Sequence, residues 1–432
     1  MVKRSRSWYK LRKALHSRGV ANVWGQLAIA QLALLGLLYW TWPPVSLTLV
    51  VPAAEVPYWS DIIQAFEADH PHIRIRPIGL NNPQGDITVN LKELCTLEVP
   101  ERSLCDIIYL DVIWVPELAA RGWLRNLDDQ VSATELAQFV DSEVAAGRYG
   151  QGLYRIPFRA DFGMLYYRAD LLQQAGYAPP DRFQDLLRIA QDLQAQGAAP
   201  WGYLWQSQRE GLVAAFVEVL HGHGGYWIDP ETRAVGLDEP EAIAAVEFLL
   251  ETIALGVSPP LTNPYTDAEA FQAFLAGEAV FMRNWPYVLG LDEAAASPLR
   301  NQIQRIPMAL HAPGETGGGC KGSWGLGIAR RSQHPQQAWR AVQYFTSEAA
   351  QRRFVQRTSY VPSRKALIPE PMVIEAAEQA VLRPPIAEYA NVSLILQDYL
   401  GKVLRGQFAP DVAMRTAAEQ TRLLLERTSS GQ

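Results

Sequence analysis

Beyond its first 20 residues the chain has little positive charge to spare. Seven of its 39 Lys and Arg stand in that opening stretch (Lys3, Arg4, Arg6, Lys10, Arg12, Lys13 and Arg18), which holds no acid. The other 32 face 45 carboxylates, so the body of the protein carries about −13. Such a body repels phosphate backbones and makes nucleic acid a poor partner. Motifs for chemistry are scarce as well. No G-x-S-x-G or other nucleophile signature occurs. The run GGGCKGS from Gly317 is no P-loop, because its Lys321 precedes the last glycine and a strand follows instead of a helix. It reads as a flexible hinge or as a close approach of backbone to a ligand. His70-Pro71-His72 and His221-Gly222-His223 lack helical i, i+4 spacing and a nearby third ligand, so they read as solvated loops, with no metal or cofactor expected. There is no internal repeat, heptad array or low-complexity linker. Cysteine occurs three times. Cys95 and Cys105 are close enough in sequence to bridge outside the cytosol; otherwise they and Cys320 are small buried hydrophobes.

What is present points first to a compartment. After the basic stretch comes an apolar run from Val20 to Trp42, densest from Leu27 and closed by Pro43-Pro44. A cationic segment before an apolar core is an export signal. The core is long for a cleaved signal, no A-x-A site follows it, and no Cys stands there to take a lipid. The reading is an uncleaved anchor: a basic cytoplasmic tail over 1–19, a membrane segment over 20–44, and everything later on the periplasmic or extracellular face. A cleaved signal is the alternative.

At 432 residues the chain exceeds one simple core, and two domains are expected. Ser46 to Val51 reads as a buried strand. Trp59, Ile62, Ile63 and Phe66 then form one helical stripe, and Ile73 to Ile78 alternates as a second strand. This is a β-α-β unit with parallel strands. Asp106 to Leu110 is a third buried strand. Glu55 and Asp111 lie just past strand ends, where open α/β sheets bind ligands, although either can merely cap the next helix. Strands and helices alternate onward, with further strands at Pro200 to Trp205, Glu278 to Met282, Ile303 to Met308 and Gly325 to Ala329, and a mostly helical C-terminus.

The stretch from Gly152 to Tyr177 organises the rest: strand, the break Asp161-Phe162-Gly163, strand, helix. Asp161 sits where the chain passes from one sheet to another, a polar anchor in a seam. The carboxylates Glu55, Asp111 and Asp161 suit paired hydrogen bonds from vicinal hydroxyls. Trp285, Tyr287 and Trp324 fall at junctions outside the amphipathic stripes, and flat rings cover the C–H faces of a pyranose. Core packing is the competing reading for each. Together these residues suit sugar binding without chemistry.

On these segments the chain resembles the family 1 extracellular solute-binding proteins of ABC importers, most nearly the trehalose/maltose-binding group. EVPYWSDIIQAFEADHPHIRI, DIIYLDVIW, IPFRADFGMLYYRADLLQQAGY, FLAGEAVFMRNWPYVLG and VPSRKAL stand in family order, and the resemblance covers nearly everything after Pro44. It implies a two-lobed α/β periplasmic-binding-protein fold of type II, each lobe a mixed sheet flanked by helices. Residues 46–158 with 290–345 would form the first lobe, and 159–289 with 346–430 the second. By position it implies hydroxyl contacts from Glu55, Asp111 and Asp161, and stacking by Trp285 and Tyr287. It also implies a ligand-touching turn at Gly322, Ser323 and Trp324, and Arg364 reaching in from the second lobe. Two departures are Ser323 in place of a Gly, and Arg159 where relatives can carry an aromatic residue. An extra Arg there favours a ligand with more hydroxyls or with an anionic group. The expected protein is a non-catalytic, monomeric, membrane-tethered receptor. It would pass a disaccharide or a glucosylated compatible solute to an ABC permease. An exported glycoside hydrolase and a sugar-sensing receptor are the rival readings.

Overall fold

The computed structural model describes residues 44–80, 105–260, 265–290 and 295–430. The expected anchor and Cys95 lie outside the described residues. Among the described residues no helix is long and apolar enough to cross a membrane. Cys105 is disulfide-bonded, which overturns its reading as a plain buried hydrophobe, while Cys320 is a buried free thiol.

Ten strands position the site: β1 Val45–Pro52, β2 Ile73–Leu80, β3 Ile107–Asp111, β4 Ile156–Ala160, β5 Met164–Arg168, β6 Trp201–Leu204, β7 Ala279–Asn284, β8 Ile303–Pro307, β9 Trp324–Ile328 and β10 Val361–Pro362. They form two main sheets. The first has the order β10-β4-β9-β3-β1-β2 and the second the order β8-β5-β7-β6. Both are mixed. β1 runs parallel to β2 and β3, as the β-α-β pattern requires, whereas β9 is antiparallel to β3 and β4. In the second sheet β6 and β7 are parallel and β5 is antiparallel to β7 and β8.

The first lobe closes over one aromatic knot. The helix Val56–Asp69 presents Trp59, Ile62, Ile63 and Phe66 to the sheet, all four buried, as its i, i+3, i+4, i+7 spacing dictates. The Trp59 ring stacks on Phe158 at 5.0 Å and meets Tyr109, Phe345 and Phe354 at 5.0, 5.7 and 5.3 Å. Phe345 and Phe354 come from the helices Pro335–Phe345 and Glu348–Thr358. Late chain is thereby tied to the opening β-α-β unit.

Lobe membership differs from the expectation in two places. Residues 290–345 do not all join the first lobe: β8 pairs with β5 in the second sheet, and the chain returns to the first only at β9. Residues 346–430 are divided as well. The helix Glu348–Thr358 packs its Phe354 into the first-lobe knot, and β10 pairs with β4. The chain therefore enters the second lobe for good only after β10.

The chain passes between the lobes three times, and the crossings are bonded to one another. The backbone N–H of Gly163 donates to Cys320 O at 3.1 Å, and that of Gly322 donates to Asp161 O at 2.8 Å. Val381 N–H donates to Gly319 O, and Lys321 N–H to Val381 O, both at 2.8 Å. The glycine-rich run is thus built into a packed seam. A Cβ on Gly319 would lie 2.5 Å from Gly163 O, and one on Gly317 would lie 2.2 Å from the Ala309 carbonyl carbon. Buried charges brace the seam. The Lys321 ammonium donates to Glu143 Oε1 (2.7 Å), Ser142 Oγ (2.9 Å) and Ala377 O (2.8 Å). Arg283 is held on Glu218, whose Oε1 also accepts the Cys320 N–H at 2.8 Å. Each charge is paired and hydrogen-bonded, the condition under which burial is tolerable.

Gly319→Ala places a methyl group against main-chain atoms that have no freedom to yield, and should destabilise the protein by roughly 1–3 kcal/mol. Thermal unfolding of the ligand-free variant measures this; an unchanged melting temperature would show that the seam does not need the close approach.

Candidate functional site

One edge of the first sheet gathers most of the expected site. β1 ends at Pro52, three residues before Glu55; β3 ends at Asp111; and β4 delivers Arg159 and then Asp161. Trp324, the first residue of β9, pairs with Asp111 on one side and Arg159 on the other. Tyr360 immediately precedes β10. The second lobe faces this edge with Trp285 and Tyr287, just beyond β7, and with Asp267 and Glu210 from the first turns of the helices Asp267–Leu275 and Arg209–Gly222. A cavity of about 380 Å³ lies between them, a size proper to a small-molecule site. Glu55, Asp111, Arg159, Asp161, Trp285, Tyr287, Gly322 and Trp324 all line it.

Two of the expected residues do not. Ser323 is fully buried behind the wall, where its hydroxyl donates to Glu143 Oε1 at 2.7 Å and accepts the Asp161 N–H at 3.0 Å. It holds the Asp161 backbone in place. Arg364 points away from the cavity: its guanidinium donates to Thr346 O, Gln138 Oε1 and Glu135, all first-lobe partners. The expectation that it reaches in from the second lobe is therefore corrected, because β10 has already fixed this segment on the first sheet. Four polar lining residues went unnoticed in the sequence: Glu210, Asp267, Tyr360 and Arg383. Asp267 sits inside a capping box, Thr266 with Glu269, so its surroundings read as a helix start. Arg383 precedes Pro384-Pro385 and looks like a loop residue.

The charges of the cavity come as two clusters. Arg383 reaches Asp111 Oδ1 at 3.5 Å and Glu210 Oε2 at 2.9 Å. Glu210 accepts further bonds from Tyr389, Ser393 and Gln397, so it is saturated. In the other cluster Arg159 Nη1 donates to Glu55 Oε1 at 3.1 Å, and Nε lies 2.8 Å from Asp161 Oδ2 as an ion pair without an aligned N–H. Glu55, Arg159 and Asp161 are 7, 6 and 3% exposed, yet Glu55 Oε2 and Asp161 Oδ1 have no partner. Arg159 is thus committed to two carboxylates, and Arg383, the other cation among the described lining residues, is paired as well, which favours the hydroxyl-rich over the anionic of the two ligand types weighed from the sequence.

Both acids that read equally well as helix caps line the cavity. Glu55 makes no side-chain cap bond, and Asp111 does both, accepting the Ile113 N–H at 3.2 Å. Burial pushes the Asp161 carboxyl up to about 7 against the pull of Arg159, with Glu55, Glu143 and Asp111 adding to the rise. Burial raises Asp111 too, against Arg383, and desolvation raises Asp267 against Arg283 and Trp285. The aromatic side is as specific. The Arg283 guanidinium covers one face of Trp285 at 4.1 Å, and Gly322 approaches the ring edge so closely that a Cβ would sit 2.7 Å from it. Tyr287 meets Tyr360 edge-on at 4.8 Å.

The profile of the bacterial extracellular solute-binding proteins matches residues 52–352. The chain belongs to that family. It is a family of binding proteins and not of enzymes. This solute-binding protein is 29% identical over 334 residues to a probable ABC transporter-binding protein of Deinococcus radiodurans, covering 73% of this chain and 79% of that one. It is 24% identical over 352 residues to the maltodextrin-binding protein MdxE of Bacillus subtilis, covering 74 and 80%. Its fold matches T. maritima MalE3 with bound maltose at a TM-score of 0.77 and 30% identity, over 88% of this chain and 100% of that one. The two-lobed, type II architecture is therefore that of the solute-binding protein.

Asp161 makes ligand-free stability depend on pH. Its carboxyl titrates near 7 in the folded protein and near 3.9 when unfolded. The folded form therefore holds more protons across that window, and stability falls as pH rises from about 4 to about 7. Asp161→Asn should remove this fall, so that the melting temperature of the variant relative to the wild type rises over the same window. A constant difference would contradict the raised carboxyl.

Proposed function

We propose that this solute-binding protein captures a neutral sugar in the interlobe cavity and delivers it to an ABC permease. The ligand class is a disaccharide or a glucosylated compatible solute, of the trehalose, maltose, sucrose or glucosylglycerol type. The observation that carries the reading is a cavity that sets the acids Glu55, Asp111, Asp161 and Asp267 beside the rings of Trp285, Tyr287 and Trp324, with Glu55 Oε2 and Asp161 Oδ1 left unpartnered beneath its wall. Buried acceptors without donors are costly, and ligand hydroxyls supply donors. The rings supply flat apolar faces with polar edges. The maltose bound to T. maritima MalE3 supports the same class.

Binding then acts as a closure. Carboxylates of the first lobe and rings of the second touch the ligand together, so the ligand stabilises the form in which the lobes meet around it. That closed form docks on the permease. We read the protein as a monomer held at the outer face of the membrane by its uncleaved N-terminal segment.

A thermal-shift screen of trehalose, maltose, sucrose and glucosylglycerol tests the ligand class, because a ligand that binds only the folded form raises the melting temperature. No shift with any of them would reject it. Trp285→Ala should weaken binding of the responding sugar at least tenfold, about 1.4 kcal/mol, in titration calorimetry. Unchanged affinity would remove Trp285 from the contact.

A further inference from the structure

At its first-lobe end the cavity already contains a group with the properties of a ligand, and it belongs to the protein. The Arg159 guanidinium carbon lies 3.9 Å over the centre of the Tyr360 ring, 5.1 Å from that of Trp324 and 5.7 Å from that of Tyr109. Its Nη1 bonds Glu55 and its Nε pairs with Asp161. A flat, donor-rich group thus sits on an aromatic face between two carboxylates. A pyranose would be received the same way, with its C–H face on a ring and its hydroxyls on carboxylates. Tyr360 and one oxygen of each acid are consumed from within, and the other oxygens, Glu55 Oε2 and Asp161 Oδ1, are left covered and without a partner.

We propose that Arg159 fills the position of one sugar ring and so sets the length of ligand that the cavity accepts. This rests on the sugar reading above. Two features separate it from an ordinary structural ion pair. Arg159 is one of the residues that line the cavity. Neither carboxylate is saturated by it, unlike Glu210, which four side chains satisfy around Arg383. The pair would be better completed if it served packing alone. Shortening Arg159 exposes the Tyr360 face and frees both acids, and so extends the cavity toward a further ring without touching the second-lobe wall at Trp285 and Tyr287.

The test is titration of glucose, maltose, maltotriose and maltotetraose, with trehalose beside them, into wild type, Arg159→Ser and Arg159→Gln. In Arg159→Ser the preferred length moves up by one hexose, and the affinity ratio of the longer to the shorter oligosaccharide rises at least tenfold. Millimolar guanidinium chloride, which refills the vacated place, reverses the shift in Arg159→Ser and leaves the wild type unchanged. Arg159→Gln, which keeps a planar donor on a shorter stem, moves the preference the same way by less, and it carries the test where the serine variant does not fold. A folded variant with the wild-type order of affinities, or a shift that guanidinium leaves untouched, would overturn the length role and leave the sugar reading intact. Failure of the wild type to bind any of the five would overturn the length role, and failure with sucrose and glucosylglycerol as well would overturn both.

Discussion

The structure depends on how closely the chain crossings approach one another. Residues 161–163 run against 320–322, bonded through Gly163 to Cys320 and Gly322 to Asp161. That distance is available only because Gly319 has no side chain to place against Gly163. Everything at the ligand site is downstream of it. The ladder carries Asp161 on one side and Gly322 on the other, both into the cavity wall, and Ser323 locks the turn from behind. The charges that brace the ladder, Lys321 with Glu143 and Arg283 with Glu218, are paired one-to-one or better. The same low dielectric that strengthens them would make a missing partner expensive.

The cavity follows the opposite rule. Glu55 and Asp161 are buried like the acids of the seam, yet one oxygen of each is left without a donor and Asp161 is driven toward its neutral form. A protein that can complete Glu143 with Lys321, Arg155 and Ser323 has the means to complete Glu55 and Asp161. On the function proposed above, leaving them incomplete stores a preference for a guest that brings hydroxyls. Pre-organised acceptors need no rearrangement on binding, which is where affinity in a polar pocket is otherwise lost.

Local pattern made much of this legible. The alternation in β2, the stripe on Val56–Asp69 and the apolar run of β3 state their own burial, and acids placed just beyond such strands point to a sheet edge. The β-α-β unit and the break at Asp161 to Gly163 could be read from the residues alone. The lobe boundaries could not. β8 alternates like any edge strand, and nothing in its residues says whether it pairs with β5 or joins β9, since pairing is a property of the partner. Arg364 was misplaced for the same reason: two residues of β10 decide which sheet it belongs to, and two residues carry no periodicity. Arg383, Glu210 and Asp267 were hidden in segments whose local pattern already had a sufficient explanation as loop or helix start. Tyr360 lacked a signal until β4 was known to bring Arg159 beneath it.

The buried lysine of the seam has a consequence for reagents. All three N–H bonds of Lys321 are used, by Glu143, Ser142 and Ala377, and the side chain is 1% exposed. Its partners sit on both sides of the crossings, on first-lobe chain and on the helix Pro371–Gln379. An ammonium held this way has neither the free electron pair nor the solvent path that acylation requires. Lys321 is therefore a built-in clock for the joint. The rate at which an amine-reactive label reaches it records how often the seam itself comes apart, without any substitution.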